Sequence, residues 1–432
     1  MRIDSFTLRN FRRFEEAEFN LAPMFNLIIG DNATGKTAIL DALTVGLGSL
    51  LLNLPFPAKS RSIRHEEVRL RFFVHGDSYT SEPQYPVQVS CTGSVARQSG
   101  SWRRELSTSK GHTTRQDLSW IRSVADELNE RVSQGVDVVL PVMSYYGTGR
   151  LWLPHREKEV DTRSRSSRFT GYDRCLHPAS GERQLIEWFK THEIAAIQRS
   201  QTNATLEACR RAILTCIPDA TWVYFDVARD ELVLRMREDE LPFHYLSDGF
   251  RNLVAMVADI AVRCATLNPH LEANAATETP GVVLIDEIDL HLHPKWQRRI
   301  IADLVAAFPA IQFVATTHSP FVIQSLPTTQ GVDLINLDDP SAEDFVGKSI
   351  EDITEEVQGV PLPQLSHRRL QMLKVAEEYY ECLAQAKKAT TEELVQLKQR
   401  LDALMLPFSD DPAYQAFLKM QRAAAGFDEE ND

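Results

Sequence analysis

The sequence predicts an α/β fold: a mainly parallel core sheet covered by helices, with an antiparallel N-terminal lobe, a helical insertion and a helical C-terminal extension. Three observations predict it. Short apolar runs that read as buried strands alternate with helix-patterned stretches, the pattern of a parallel sheet covered on both faces. A glycine-rich turn joins the run Phe25 to Ile29 to a helical stretch, Ala38 to Leu52. The fully apolar run Val282 to Ile285 ends in two adjacent carboxylates, Asp286 and Glu287.

Taken in order, the chain opens with an alternation, Ile3, Phe6, Leu8 and Phe11, then Phe14 and Phe19, which predicts a strand pair. The segment Met1 to Phe14 carries several arginines and no long apolar core, so it reads as a strand start and not as a signal peptide. Val68 to Val74 and Val87 to Cys91 read as strands. Thr92 to Arg115, rich in Ser, Thr, Gly and Arg, reads as a loop. Leu118 to Val132 has helical spacing, and Val138 to Tyr146 reads as a strand ending in Gly147-Thr148-Gly149-Arg150. The polar, basic stretch Arg156 to Arg174 reads as mobile or ordered by a ligand. Helices are expected near Glu182 to Gln198 and Thr205 to Cys216, and a hairpin pairs Trp222 to Phe225 with Leu232 to Met236. Gly249 to Thr266 is expected as a helix, and Pro294 to Phe308 as one helix with proline at its first position. Ile311 to Thr316 and Val332 to Leu337 complete the buried strands. From about Gln364 the sequence is helical with charged faces, and the acidic tail Asp428 to Asp432 reads as disordered.

Bulk properties narrow the function. The 432 residues are 43% hydrophobic and 25% charged, ordinary for a soluble globular protein. No apolar run reaches the roughly 18 to 20 residues of a membrane span. A net charge of −13 argues against coating nucleic acid by bulk charge, though not against a local basic groove. Arg163, Arg165, Arg168 and Arg174 are candidates for such a grip, or form a solvated loop. The six cysteines are scattered without a CxxC pair, so zinc spacing is absent and a reducing cytoplasm is the expected location.

Chemistry concentrates in four motifs. Gly30-Asp31-Asn32-Ala33-Thr34-Gly35-Lys36-Thr37 matches G-x-x-x-x-G-K-[ST] in full, between a buried strand and a helix. Such a loop turns backbone N–H groups onto phosphates, and the helix adds its positive end. Lys36 is expected to reach the β- and γ-phosphates of ATP, and the Thr37 hydroxyl to ligate Mg²⁺. Asp286 and Glu287 sit where a parallel sheet presents its ligands. They read as an Mg²⁺ holder and a general base, or as an acidic pair capping a helix. Leu246-Ser247-Asp248-Gly249-Phe250-Arg251 precedes a long helix and reads as a second anion site or as an N-cap turn. His318, in Thr316-Thr317-His318-Ser319-Pro320, is placed to reach a γ-phosphate, or is a strand-end histidine held by neighbouring hydroxyls. Asp289-Leu290-His291-Leu292-His293 reads as a loop at a subunit contact in preference to a metal cluster.

In this order the motifs resemble those of the ABC-type ATPases, in their SMC/RecF/OLD-like branch. Gly30 to Thr37 stands as the Walker A motif and Val282 to Glu287 as Walker B. Leu246 to Phe250 stands as the ABC signature, with Asp248 and Phe250 where transporters carry Gly and Gln. Ile288-Asp289 takes the D-loop position, and His318 resembles the switch histidine. Leu8-Arg9-Asn10-Phe11-Arg12-Arg13-Phe14 is typical of the branch, in which an arginine near Arg12 lies beside the nucleotide. Ser144 to Arg150, Leu284 to Trp296 and Gln312 to Ser325 are similar to ATPases of anti-phage and retron operons, including the PtuA subunits of Septu systems.

The resemblance implies ATP and Mg²⁺ as cofactors, with Gly30 to Thr37, Ala38 and Arg12 around the nucleotide. Thr37 and Asp286 would hold the metal, and Glu287, His318 and Lys36 would act in hydrolysis. It implies a head-to-tail dimer or higher even oligomer, with Ser247 and Gly249 of one copy covering the ATP of the other. It assigns residues 1–115 to a first ATPase lobe, 116–240 to a helical insertion or lid, 241–340 to a second lobe and 341–432 to the extension. No glutamine can be placed in the Q-loop; Tyr145 to Arg150 serves that region or is a plain strand exit. Long coiled-coil arms are missing, and a nuclease unit is not seen after Leu337, so nuclease activity is expected from a partner, HNH-type in Septu-like systems. The leading expectation is a regulatory ATPase of a defence complex, with nucleic acid reached through that complex and no membrane association. The rival is a RecF-like DNA-binding repair ATPase.

Overall fold

Alternating burial along the first twenty residues makes the chain start as a sheet. In the computed structural model β1 (Arg2–Phe11) buries Ile3, Phe6, Leu8 and Phe11 and pairs antiparallel with β2 (Phe14–Asn20). The structure describes all residues except 56–59, 77, 150–166, 179–181, 201–202, 218, 238, 340–346, 387–394, 397–398, 401, 404–405, 409 and 425–432. Arg150, Arg163 and Arg165, and the tail Asp428 to Asp432, lie outside the described residues. Two units are separable, Met1–Ile350 and Glu351–Asp432.

β3 (Phe25–Ile29) is buried at every residue and leads into α1 (Lys36–Leu51), which is buried on nearly all sides. β4 (Leu70–His75) and β5 (Ser78–Pro83) form an isolated antiparallel ribbon that leaves Phe72, Val74 and Tyr79 exposed. β6 (Val87–Val95) and β7 (Gln98–Leu106) extend the first sheet to the order β2-β1-β6-β7. Here the expected loop from Thr92 to Arg115 is corrected. β6 and β7 run through its first half in continuous register, from Val87 opposite Leu106 to Val95 opposite Gln98. The inward positions of β7 are Trp102, Arg104 and Leu106. An arginine on the buried face and small polar residues on the other hide the period of two that marks a strand.

α2 (Ser119–Ser133) buries Ile121, Val124, Ala125 and Leu128. β8 (Val142–Tyr146) enters the core sheet. α3 (Glu182–Arg199) and α4 (Ala204–Cys216) precede a small antiparallel sheet of β9 (Ala220–Asp226), β10 (Glu231–Met236) and β11 (Asp239–Pro242). Residues 116–240 therefore carry a core strand and a second sheet as well as helices. α5 (Asp248–Leu267) and the short α6 (Ala275–Glu278) lead to β12 (Gly281–Ile285). The single helix expected from Pro294 to Phe308 is two, α7 (Pro294–Gln297) and α8 (Ile300–Ala307). Arg299 breaks it by leaving helical φ (−130°), while its guanidinium bonds Asp303 at 2.7 Å. β13 (Ile311–Thr316), the short α9 (Pro320–Gln324) and β14 (Val332–Asn336) follow.

The core sheet has the order β14-β3-β13-β12-β8, and all its pairings are parallel. β3, β8, β12 and β13 are buried at every residue. Parallelism brings the C-terminal ends of all five strands to one edge, where such sheets bind ligands. Among the described residues no helix is long and apolar enough to cross a membrane.

The second unit contains most of α10 (Ile350–Glu356), then α11 (His367–Ala386) and α12 (Pro412–Ala424). α11 is tied to α12 by the Tyr414 hydroxyl, which donates to the Met372 carbonyl at 2.5 Å.

Candidate functional site

β3 ends at Gly30, and the next seven residues turn the chain into α1. Gly30 has φ +151° and Gly35 φ +103°. A methyl group on Gly35 would lie 2.7 Å from the Phe14 ring, and one on Gly30 would lie 2.8 Å from Thr34 Oγ1. Both glycines are therefore required, by close approach and, at Gly35, by its left-handed backbone. Thr34 Oγ1 donates to the Asp31 carbonyl at 2.9 Å and fixes the turn. Asp31, Asn32 and Ala33 face solvent, as does Thr37, while Lys36 is buried. Lys36 Nζ lies inside the loop and donates to the carbonyls of Gly30 and Asp31, each at 2.8 Å. Burial pushes its ammonium below the ordinary lysine value, against the opposing pull of Asp338, Asp286, Asp31 and Glu287. Ala38 is buried in the first turn of α1.

Two neighbouring strand ends meet this loop. Asp286, buried at the end of β12, accepts from Thr37 Oγ1 at 2.9 Å and from Thr316 Oγ1 at 2.7 Å. Its N–H donates to the Tyr146 carbonyl at 2.8 Å, which ties β12 to the end of β8. Glu287 follows with φ +49°, and its N–H donates to Thr316 Oγ1 at 2.8 Å. One threonine at the end of β13 thus holds both acidic residues. Beyond it Thr317 Oγ1 donates to Asp289 at 2.5 Å, and His318 faces solvent between buried Thr317 and Ser319. His293 is the N-cap of α7, accepting from the Lys295 N–H at 3.2 Å.

Arg12 lies beside α1, where it binds Asp41 at 2.5 Å. Asp41 also receives Arg61 at 2.5 Å, and Arg61 continues to the buried Glu67. Burial pushes the Glu67 carboxyl up, against Arg61 and the Arg64 N–H. The neighbouring arginine is the one on the phosphate loop, for Arg13 Nη1 donates to the Ala33 carbonyl at 2.5 Å.

Arg13 and Thr316 entered the sequence motifs without a role of their own, and Asp338 did not enter them. Asp338 lies just past β14 and accepts from the Asp31 N–H at 2.6 Å. The usable signal was position, since Thr316 ends β13 and Asp338 closely follows β14, both on the edge that carries Gly30 and Asp286.

Ser247 and Gly249 stand at the start of α5. Ser247 is its N-cap residue without a side-chain capping bond, and both Ser247 and Asp248 are exposed. Gly249 is buried, and a methyl group there would lie 1.9 Å from the His291 carbonyl oxygen. That approach packs the start of α5 on the loop after Glu287, and Phe250 meets Trp296 edge-on at 5.2 Å. The geometry brings Lys36, Thr37, Asp286, Glu287 and Thr316 together, with Arg13 and Asp338 on the loop's flanks. It carries Ser247 on an outward-facing helix start instead.

Two family models match the chain. One, described as "AAA domain", covers residues 5–219, and the other, described as "AAA domain, putative AbiEii toxin, Type IV TA system", covers residues 227–324. The chain is 48% identical over 97 residues to the retron Vc95 probable ATPase of Vibrio cholerae serotype O1 biovar El Tor, which covers 22% of this chain and 18% of that protein. It is 25% identical over 405 residues to the retron Ec83 probable ATPase of Escherichia coli, covering 76% of this chain and 70% of that one. With the Septu protein PtuA of Bacillus thuringiensis it shares 27% over 209 residues, 45% of this chain and 49% of PtuA. The matched part thus ranges from 18% to 70% of these relatives' own lengths.

Proposed function

The chain is an ABC-type ATPase of the SMC/RecF-like branch, with retron ATPases and PtuA among its homologues, and from that membership we propose a nucleotide-driven switch. In this reading it binds ATP with Mg²⁺, closes head-to-tail on a second copy, hydrolyses the ATP and thereby controls a nuclease partner, HNH-type, in a cytoplasmic anti-phage complex. The observation that carries the reading is the 2.9 Å bond between Thr37 and Asp286, which links the phosphate loop to the acidic strand end.

The residues fit the groups assigned to them. Gly30 and Gly35 leave the space that side chains would fill, so backbone N–H groups can face phosphates. Lys36 exchanges its two carbonyl partners for phosphate oxygens, which returns to its charge what burial withholds. Thr37 and Asp286 offer the hard oxygen donors that Mg²⁺ prefers. Held there, Mg²⁺ would neutralise charge on the phosphates. Thr316 fixes the orientation of Asp286 and the backbone at Glu287, so the Glu287 carboxylate accepts a proton from the attacking water. His318, exposed on the same edge, is assigned to the γ-phosphate. Ser247 and Gly249 are assigned to the ATP of the second copy, where the positive end of α5 meets phosphate.

Glu287→Gln tests this directly. It should slow phosphate release by about 10² to 10⁴-fold and accumulate an ATP-bound dimer, read as a doubled mass in light scattering with ATP and Mg²⁺ but not with ADP. A monomer at saturating ATP removes the switch. Co-expressed with the nuclease of its own operon, the wild-type chain should form a complex whose cutting responds to Lys36→Ala. Salt-dependent duplex binding by the chain alone, with no such complex, favours the repair reading instead.

A further inference from the structure

A cavity of about 650 Å³ lies in the N-terminal lobe, away from the phosphate loop. Its walls come from the end of α1 and the chain just after it, from β7, and from the segment after β7. Leu51, Leu52, Leu54, Pro55 and Ile63 give it an apolar side. Among the described residues its titratable lining is basic: Arg104, Arg115, His65 and His112, with no aspartate or glutamate. That is unusual for a chain with net charge −13. Hydroxyls of Ser60, Ser62 and Thr113 complete it.

Two lining side chains have unmet hydrogen-bonding capacity. Arg104 is 1% exposed, and its Nε and Nη1 are buried without a hydrogen-bond partner among the described residues. Ser60 Oγ is likewise buried and unpartnered. A buried cation without an acceptor is costly, so a site that keeps one has an anion to receive. Burial, and then the neighbouring Arg115, push the Arg104 guanidinium down to about 10, the direction an arriving anion would reverse. The pocket is also held open by a tie. Thr113 Oγ1 accepts from the Ile63 N–H at 3.0 Å, joining the segment after β7 to the strap that carries Ser60 and Ser62.

We propose that this cavity binds the phosphate group of an organic phosphate of about nucleotide size, with Arg104, Arg115 and Ser60 on the phosphate and the leucine wall on the organic body. The volume lies within the range of small-ligand sites. The site is separate from the ATP site. α1 starts at Lys36 and reaches the cavity at Leu51, and its 16 residues span about 24 Å at 1.5 Å each, so one mononucleotide cannot occupy both.

The test is calorimetric titration of the full chain carrying Lys36→Ala, which silences the phosphate loop. The probes are inorganic phosphate, AMP, adenosine and 5′-phosphorylated dithymidine. AMP should bind saturably at one site per chain and adenosine should not. Arg104→Gln and Arg115→Gln should each weaken binding about tenfold or more. Tighter binding of AMP assigns a free nucleotide, and tighter binding of the dinucleotide assigns the phosphorylated end of a nucleic-acid strand. If Arg104→Gln does not fold, exposed Arg115 decides alone. Absence of saturable binding by every phosphate probe overturns the proposal, as does binding unmoved by either substitution. If the Lys36→Ala chain still loads nucleotide through its loop, that binding will ignore Arg115→Gln, so the two sites remain distinguishable.

Discussion

Two helices of this chain begin at glycine-bearing turns, and they begin differently. At the start of α1, Gly35 is pressed on Phe14, Lys36 is buried under the loop, and Thr37 reaches Asp286. At the start of α5, Gly249 is pressed on the His291 carbonyl, but Ser247 and Asp248 face outward. Among the described residues Asp248 pairs locally, with Arg251 at 2.9 Å. The first turn is furnished with a lysine, a hydroxyl and two carboxylates from neighbouring strands. The second is a rigidly packed turn that presents its polar face to solvent. Under the proposed switch, the difference makes binding of nucleotide and completion of the site separate tasks, the first within one chain and the second between two.

Breaking the first turn should have the largest effect. Lys36→Ala should take ATP binding below detection in a fluorescent-nucleotide titration, and turnover with it; retained tight binding would falsify the phosphate-loop assignment. Ser247→Arg should come next, leaving ATP affinity of the single chain intact while abolishing ATP-driven dimerisation and hydrolysis. Unchanged turnover in that variant removes any role of the second turn.

Thr316→Val sharpens the comparison at smaller scale. It deletes the hydroxyl that holds Asp286 at 2.7 Å and accepts from the Glu287 N–H at 2.8 Å. A lost hydrogen bond to a charged group is worth about 1.5 to 3 kcal/mol, so hydrolysis should fall about tenfold or more, with ATP affinity little changed. An equal loss of affinity shows instead that Thr316 shapes the loop. The smallest effect is in pH. In the proposed reading Lys36 binds phosphate as its ammonium, and burial lowers its pKa. ATP affinity should therefore decline with rising pH earlier than an ordinary lysine would lose its proton. Lys36→Arg, which stays charged, should flatten that profile in the same titration.

Most of the core was legible because each layer repeats one message. β12 is a continuous apolar run, and β3, β8 and β13 are apolar except for Asn26, Ser144, Gln312 and Thr316, the near-continuous pattern of strands buried on both faces, and α1 and α5 follow glycine-bearing turns. What was hidden had mixed signals. β7 escaped because Arg104 occupies an inward position and Gly100 sits among serines. The break at Arg299 escaped because both flanking pieces keep helical composition. Around the site, the motif residues were readable from spacing, but Thr316 and Asp338 depend on which strands are neighbours, and spacing does not encode that. Arg12 and Arg13 are adjacent in a family phrase. Only the fold shows that Arg12 is committed to Asp41 while Arg13 reaches the loop.

The proposed composite site is tested most directly by mixing two chains expected to be inactive, one carrying Lys36→Ala and the other Ser247→Arg, and measuring phosphate release. In a mixed pair, one site joins the intact phosphate loop of the Ser247→Arg chain to the intact α5 start of the Lys36→Ala chain. The account predicts that the mixture hydrolyses ATP although neither variant does so alone. A mixture as inactive as its components, or a Ser247→Arg chain that hydrolyses ATP unaided, would contradict it.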